Sequence, residues 1–458
     1  MAIKRQEGAV QPGIKWWRFT TRIPGVHVGF SLPEIIQGGL LTTATGGVVA
    51  GLCMQLFQLP FEVAWSVVLI QLVWVFIVPV LILGEPYAPG WITPALPLVM
   101  AFIAKSGVGL PAIQMMTAVT ICLCLILLFF AVTGLAARFF SWVPAELRAA
   151  IIFGGAVAAF TSEFGRLAKY PYTLPIVWAS VLILMFSVWY TKARAHNKFM
   201  NWFASIALLV GFLAAAVAGP LFGELSFDIK MGWQVPQIGA FLTAMSPFSI
   251  GWPSWNMYVT AMPMALMIYI FIFGDIILAN AVLESAGAVR KDEKLETDVT
   301  RSHAALFIRN AGHLLSGGPF IPLHGPIWTG VHVFLAERYK TGRQNMDSFF
   351  TGTFNWYWLA LILIFLVPVV SFMRPLLPIA LSITLILTGF ACAYIAISMV
   401  KTPASMGYMV FVGMVIAKFG PAWGLAVGVG LYLLMLIEHV PGINAPQAKQ
   451  AAEKDVNK

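Results

Sequence analysis

Charged residues are scarce in this sequence. Asp, Glu, Lys and Arg make up 10% of the 458 residues, while 59% are apolar and the mean hydropathy is +0.84. Soluble proteins carry about 25% charged residues, so a chain of this composition does not solvate itself in water. Its polar stretches are too short to bury a core of their own. This scarcity argues against a soluble domain and predicts an all-α protein that crosses the membrane many times.

Cysteine is also rare, and the motifs of soluble enzymes are missing. Cys53, Cys122, Cys124 and Cys392 stand in apolar runs without neighbouring His or acidic residues, which indicates packing rather than metal binding. The sequence contains no Walker loop, no G-x-G-x-x-G after a strand and no H-E-x-x-H. We therefore expect no enzyme activity, no cofactor and no metal, and transport driven by ATP would need a separate subunit.

Apolar runs near the length that spans a bilayer, about 20 residues, follow one another along the chain. We expect fourteen segments as two repeats of seven, with both termini on one side. Their approximate positions are 31–57, 62–84, 91–104, 112–136, 146–164, 173–191, 200–223, 257–288, 299–316, 325–337, 350–372, 375–399, 404–418 and 421–438. The third and tenth are too short to cross as helices.

The distribution of Lys and Arg predicts the orientation. With the N-terminus inside, 22 of the 28 basic residues fall on the inner side and six on the outer side. We therefore expect an inner (plasma) membrane protein with both termini in the cytoplasm. The net charge of +9 is then explained by the basic residues on the inner side of the membrane, and no nucleic-acid partner is needed to account for it.

The two ends of the chain are expected to be cytoplasmic tails, over residues 1–24 and 439–458. The first dozen residues are interpreted as a disordered basic tail. Trp16, Trp17 and Phe19 stand among basic residues and are expected to anchor the chain at the bilayer surface.

Two proline-rich stretches interrupt the short segments. The first reads E-P-Y-A-P-G-W-I-T-P over 85–94, and the second reads G-P-F-I-P-L-H-G-P-I-W-T-G over 318–330. Both contain Pro, an aromatic residue, a second Pro, then Gly, Trp and Thr, and their first prolines are 233 residues apart. An odd number of segments separates them, so they point in opposite directions across the membrane. This pattern predicts inverted repeats whose broken segments mark a substrate site.

Proline removes a backbone donor and favours extended chain before it. Each stretch is therefore expected to cross part of the membrane as extended chain and then begin a half-helix. Such backbone is tolerated at that depth only where it is buried in protein or lines a cavity. The two half-helix N-termini would face each other near the midplane, where their N–H groups suit an anionic or carbonyl-rich solute. The alternative is that both stretches are ordinary loops.

Ionisable residues inside the apolar runs are functional candidates by default. Asp275 lies in the middle of the eighth segment among apolar neighbours. We expect it to carry a coupling proton or to bind Na⁺, with capping of a broken helix as the structural alternative. Glu284 lies near the inner end of the same segment, as a second coupling candidate or as a solvated residue.

Candidates for contact with the solute lie mainly in the two broken segments. They are Trp91, Thr93, His324, Gly325, Trp328 and Thr329. Hydroxyls there can cap a half-helix or touch the solute, and His324 can donate to a solute or to loop backbone. His313 and His332 are weaker candidates. Glu34 and Gln37 reach the site only if the first helix begins before residue 31.

The chain resembles the superfamily of nucleobase–cation symporters, sulfate permeases and bicarbonate transporters, as an outlying branch with a uracil-permease-like arrangement. The resemblance rests on the fourteen segments, the breaks in segments three and ten, and Asp275 at the place of an acidic residue in segment eight. It implies a core domain over 25–136 and 257–372, a gate domain over 140–223 and 375–438, and a homodimer. His324 stands where nucleobase permeases usually carry an acidic or amide residue.

The sequence therefore predicts a secondary transporter of a small polar or anionic solute, coupled to H⁺ or Na⁺, in which the core slides against the gate. A nucleobase symporter is the close alternative, because Trp91, Trp328 and Phe320 offer rings for stacking on a flat solute. An anion channel, which needs no coupled acid, is a different class, and an intramembrane enzyme is the remaining one.

Overall fold

The computed structural model describes residues 5–436, and their regular structure is almost entirely helical. In the first half, α1 to α11 are Leu32–Phe57, Phe61–Ala64, Ser66–Gln71, Leu96–Ala104, Leu110–Thr133, Leu135–Trp142, Ala145–Lys169, Thr173–Phe186, Val188–His196, Lys198–Ser205 and Ala207–Leu221. In the second half, α12 to α21 are Ile238–Met245, Pro247–Ile250, Trp255–Val289, Val299–Gly317, Thr329–Lys340, Phe349–Asn355, Ala360–Leu363, Val367–Met399, Pro403–Phe419 and Pro421–Met435. A π-helical segment, Leu72–Ile82, continues α3, and a 3₁₀ turn, Thr93–Ala95, precedes α4.

The described residues form a multi-pass membrane protein by the length and apolarity of their helices. Six helical stretches are long and apolar enough to cross a bilayer: α1, the run Phe61–Ile82, α5, α7, α14 and α19. Two bent pairs, α8–α9 at 57° and α10–α11 at 76°, raise the count to eight if each is one span. The expected number of fourteen crossings stays a prediction.

Two predicted segments have different boundaries from those expected. The stretch 350–372 is not one helix, because α17 ends at Asn355, α18 is a short helix, and α19 already begins at Val367. The expected segment 375–399 begins too late, because Pro368 occupies the first turn of α19 and the helix continues through Pro375. In a membrane helix, neighbouring groups can satisfy the carbonyl that an interior proline leaves free.

The sixth and seventh predicted segments are also not straight helices. A break at Ser187 separates α8 from α9, and a break at Ile206 separates α10 from α11. The Ser187 hydroxyl accepts from the backbone N–H of Tyr190, and the Asn197 side chain caps α10. These polar N-caps start α9 and α10, whereas no side chain among the described residues caps α11 after the break at Ile206.

The helices pack in two groups. The first group contains α1, α5, α14, α15 and α16 with the π-helical segment, and the second contains α7, α8, α11, α19, α20 and α21. Within the second group, the Glu163 carboxylate of α7 pairs with Arg166 and accepts from Ser382 of α19, whose hydroxyl accepts from Trp178 of α8. The groups meet mainly where α1 and α16 pack against α19.

The N-terminal segment is ordered, so the interpretation of the first dozen residues as a disordered tail is wrong for residues 5–12. Arg5 and Gln11 are buried, and Arg5 donates to Gln11 at 2.6 Å. The next residues form a hairpin of β1, Ile14–Trp16, and β2, Phe19–Thr21. Trp16 and Trp17 are exposed, as expected of surface anchors, but Phe19 is buried in the protein.

The N-terminal segment contacts residues from both halves of the chain and so connects them. Arg22 donates to the carbonyl of Gly84 at 3.2 Å, and the N–H of Gly8 donates to the carbonyl of Asp292 at 3.0 Å. Arg5 pairs with Asp292 at 2.8 Å. The Arg290 side chain bonded to Asp292 lowers the pKa of that carboxyl to about 2. A carboxyl with a lowered pKa stabilises the fold above its unfolded value near 4, so this pair is lost only as the pH falls from about 4 towards 2.

Arg5→Ala should release residues 6–11 from the rest of the protein. A hydrogen bond to a charged group is worth about 1.5–3 kcal/mol, so the loss should raise amide exchange there by roughly ten- to a hundredfold. Hydrogen–deuterium exchange in detergent measures this rate. Lys294→Ala is the control, because Lys294 forms an exposed pair with Glu296 and its own N–H still donates to the carbonyl of Ala9. Equal exchange in both variants would contradict the docking.

Candidate functional site

The two broken segments meet as a pair of short strands. Strand β3, Gly90–Trp91, pairs antiparallel with β4, His324–Gly325, in the register Gly90 with Gly325 and Trp91 with His324. We call these four residues the strand crossing. The structure confirms the predicted extended chain at both places. The physical reason is that the prolines around the strands prevent helix formation there.

Only glycine fits at two positions of the crossing. A Cβ on Gly90 would lie 2.5 Å from the backbone nitrogen of Trp328, and a Cβ on Gly325 would lie 2.9 Å from the carbonyl carbon of Trp91. The neighbouring atoms are backbone and cannot move aside cheaply. The N–H of Trp328 also donates to the carbonyl of Ala88 at 2.8 Å. The two segments therefore hold each other through their main chains.

A helix begins within five residues of the end of each strand, as predicted. The first segment continues into the 3₁₀ turn at Thr93 and then α4, and the second continues into α16 at Thr329. Among the described residues, no side chain caps the start of α4 or α16. Helix starts carry free N–H groups and a partial positive charge, so both favour an electronegative group beside the crossing.

Arg309 of α15 lies under the crossing and was not recognised as a site residue from the sequence. Its guanidinium is buried and donates to the carbonyls of Gly90 at 3.2 Å and Gly325 at 2.9 Å, one from each strand. It also donates to the carbonyls of Trp74 and Val75, both at 3.2 Å. Among residues 5–436, Arg309 forms no ion pair with a carboxylate. The crossing therefore carries a buried positive charge held by backbone oxygens.

The sequence explains why carbonyls are free to accept from Arg309. The N–H of residue 79 would bond to the carbonyl of residue 75 in an α-helix and of residue 74 in a π-helix. Pro79 has no N–H, so one of these carbonyls must lack a helical partner. Arg309 bonds to both and thereby connects the π-helical segment to the crossing. An arginine inside a predicted span was the available signal.

Asp275 lies beside the start of α16. His332 of α16 donates through Nε2 to the carbonyl of Ala279 at 3.3 Å, and Lys340 donates to Ser285 at 3.0 Å, so α14 and α16 run side by side in the same direction. One turn before Ala279, Asp275 is level with the first residues of α16. Its Oδ2 atom is buried and has no hydrogen-bond partner among residues 5–436.

A pair of histidines, His313 and His324, extends from the crossing. Nδ1 of His313 and Nε2 of His324 are 3.0 Å apart, and both side chains are buried. The Phe320 ring contacts both rings, with centroids 4.6 Å from His313 and 5.0 Å from His324. Asn310 fixes the backbone of His324, accepting from its N–H at 3.0 Å and donating to its carbonyl at 3.2 Å.

His332, by contrast, has both ring nitrogens satisfied. Its Nδ1 accepts from the N–H of Ala88 at 3.2 Å, so the ring proton is on Nε2, which donates to Ala279. His332 therefore connects α16, α14 and the first broken segment. Its role is structural.

The structure brings together most of the residues that the sequence predicts to contact the solute. Trp91, His324 and Gly325 are in the crossing itself, and Trp328 and Thr329 start α16. The indole nitrogen of Trp91 is buried and has no partner among the described residues, whereas the Trp328 ring is stacked on Phe76 at 6.4 Å. Thr93 is exposed and Thr329 is half-buried.

Three other predicted residues do not reach the crossing. Helix α1 begins at Leu32 and not earlier, so Glu34 lies in its first turn, where it pairs with Arg338 of α16 at 3.0 Å. Arg338 is about 14 Å along α16 from Thr329. Gln37 donates to the carbonyl of Ser205 at 2.9 Å, and Glu284 is exposed. Expectations of solute or coupling contacts for these residues therefore have no support from their positions.

An open cleft lies elsewhere, among α8 to α11. It has a volume of about 440 Å³, and its walls are mainly apolar side chains such as Ile183, Phe199 and Phe203. An apolar cleft on this face offers few groups that recognise a polar solute. The polar chemistry is at the strand crossing, so we place the candidate site there.

Comparisons with models of known protein families and with curated proteins find no match. The fold and the site define the class of the protein: a multi-pass α-helical membrane protein with two broken segments that pair inside it.

Proposed function

We propose that this protein is a secondary transporter that moves a small polar or anionic solute through the strand crossing, coupled to H⁺ or Na⁺. One observation carries the proposal: two extended segments pair between helices and each then starts a half-helix. Non-helical backbone inside a membrane protein is tolerated where it is buried in protein or lines a cavity, and in this proposal the crossing lines the solute path. In this proposal the fourteen segments form inverted repeats, with both termini in the cytoplasm.

The charge at the crossing favours an anion. Arg309 supplies a buried positive charge, and the uncapped starts of α4 and α16 add the positive ends of two helices. Burying a cation without a carboxylate is costly, and an anionic solute would offset that cost during binding. Asp275 of α14, beside the start of α16, is then the group that binds the coupling ion.

The packing of helices supports sliding of one group against the other. The first group holds both broken segments, and it meets the second mainly through α1, α16 and α19. In the proposal, the first group is the core that carries the solute and the second is the gate, present as a homodimer in the plasma membrane. The N-terminal segment contacts the first group and moves with it.

Uptake into proteoliposomes tests the proposal. Purified protein is reconstituted and offered labelled small carboxylates, inorganic oxyanions and nucleobases, each with an inward H⁺ gradient, an inward Na⁺ gradient or no gradient. We expect saturable accumulation of one anion, abolished by an ionophore that collapses the driving gradient. Accumulation of a nucleobase would favour the alternative symporter, and flux without accumulation under any gradient would favour a channel.

Thr329→Val should weaken binding of the solute that the panel identifies. Loss of one hydrogen bond costs about 0.5–1.5 kcal/mol, so KM should rise roughly two- to tenfold with little change in kcat. Thr161→Val is the matched control, because Thr161 is exposed on α7 and bonds only to carbonyls of its own helix. An unchanged KM in Thr329→Val would remove this hydroxyl from the site.

A further inference from the structure

We propose that His313 and His324 form a proton relay that leads from the C-terminal end of α15 to the strand crossing. The inference rests on the proposed function, because it assigns a proton path to that transporter. Its observation is separate: a buried pair of imidazoles whose inner nitrogens bond to each other and whose outer nitrogens have no partner in the part of the chain that the structure describes.

The two outer nitrogens are buried without partners. Nε2 of His313 and Nδ1 of His324 have no hydrogen-bond partner among residues 5–436, while the inner nitrogens lie 3.0 Å apart. An unsatisfied buried polar atom costs about 1–3 kcal/mol, so a pair that served packing alone would be better replaced by apolar side chains. His332, equally buried but fully bonded, shows how this fold satisfies a structural histidine.

The bonding pattern leaves one outer nitrogen with a proton and the other with a lone pair. If His313 donates through Nδ1, its Nε2 carries the lone pair and Nδ1 of His324 carries the proton. A proton from water then bonds to Nε2 of His313, the bridging proton moves from Nδ1 of His313 to Nε2 of His324, and the proton on Nδ1 of His324 leaves to a second water. One proton enters and one leaves, and both rings end neutral with the opposite pattern.

The position of the pair gives this path a direction. His313 is one turn before the end of α15 at Gly317, whereas His324 is in the crossing, paired with Trp91. The pair therefore extends from the end of a helix towards the site. A proton delivered at His324 arrives in the group of helices that also holds Asp275.

The surroundings favour transfer over storage of a proton. Arg309 lies one turn before His313 on α15 and donates to the carbonyl of Gly325, next to His324. The other neighbours are neutral: Phe320, Asn310, the Trp91 indole, and Ile70, which borders Gly317 together with His313. Among the described residues, no carboxylate bonds to either ring. A resting imidazolium beside Arg309 is therefore disfavoured, and the proton passes on.

Exchange of the histidine ring protons tests the relay without any solute. In protein labelled with ¹⁵N-histidine, NMR follows the ring N–H signals after transfer to D₂O, with His313→Gln and His324→Gln used for assignment. His332 is the internal control, because it is as deeply buried but has no free nitrogen. We expect the ring protons of the pair to exchange at least about a hundredfold faster than the His332 proton. Exchange as slow as that of His332 would overturn the relay.

Transport separates failure of the relay from failure of the proposed function. In proteoliposomes with the anion that the panel identifies, His324→Gln should slow H⁺-driven accumulation roughly tenfold or more, while exchange of solute at equal concentrations stays within about twofold. An equal loss of H⁺-driven accumulation and of solute exchange would overturn the relay, but it would not contradict the proposed transport function. Fast ring exchange in a protein that transports no member of the panel would contradict the proposed function alone.

Discussion

Arg309→Leu should leave little folded protein. The four carbonyls of Trp74, Val75, Gly90 and Gly325 would lose their donor inside the membrane domain, and each unsatisfied group costs about 1–3 kcal/mol. The sum is on the order of 5 kcal/mol, comparable with the whole stability of a typical protein. Replacing a buried ion pair by apolar residues can be neutral, but here the partners are backbone groups that remain.

Thermal unfolding and size-exclusion chromatography in detergent measure this loss. Arg309→Lys should be intermediate, because an ammonium has three donors for four carbonyls. Arg343→Leu is the control, since Arg343 forms only half-exposed pairs with Asp347 and Glu7. A monodisperse Arg309→Leu protein that unfolds at the wild-type temperature would show that the guanidinium does not hold the crossing together.

Asp275→Asn should abolish accumulation of the solute while leaving the fold intact. Asn has the same shape, but it can neither take up a proton nor offer a negative charge to Na⁺. A coupling free energy of 1–3 kcal/mol corresponds to about 5–150-fold, so gradient-driven accumulation should fall by that factor towards equilibration. The measurement compares uptake with and without the ion gradient in matched proteoliposomes.

Glu284→Gln is the matched control for the loss of a carboxylate, because Glu284 lies on the same helix but is exposed. Its uptake should equal that of the wild type. If Asp275→Asn retained flux while no variant showed accumulation, the protein would be an anion channel. If Asp275→Asn accumulated the solute normally, Asp275 would have no part in coupling.

The sequence predicted the elements of the site better than their contacts. Prolines act on the chain next to them, so the extended stretches and the half-helices at Thr93 and Thr329 followed from local rules. The pairing of Gly90 with Gly325 joins residues far apart in the chain, and no local rule gives its register. The charge count also assigned Arg309 to the inner side of the membrane, whereas it is buried within α15 beneath the crossing.

The errors in the predicted segment boundaries also arise from contacts between residues far apart in the chain. Hydropathy does not detect the end of α17 at Asn355, because the next residues are also apolar. A Cβ on Gly38 of α1 would lie 2.4 Å from the carbonyl oxygen of Trp356, so α1 packs closely against the break after α17. Likewise, Arg5 is buried where it meets distant partners such as Asp292 and the carbonyl of Asp347. Tertiary contacts decided both cases.

Cysteine accessibility at the starts of the half-helices tests the central claim most directly. The four buried native cysteines are first replaced, and a cysteine is placed by Thr93→Cys or Thr329→Cys. A charged thiol reagent that cannot cross the membrane is then added to vesicles of either orientation. Leu125→Cys is the unreactive control, because Leu125 is on the exposed face of the apolar helix α5, which lies against lipid in this account. We predict reaction at both positions, with the accessible side changing when the ion gradient is reversed. Thiols that stay as unreactive as Leu125→Cys from both sides would contradict a solute path through the strand crossing.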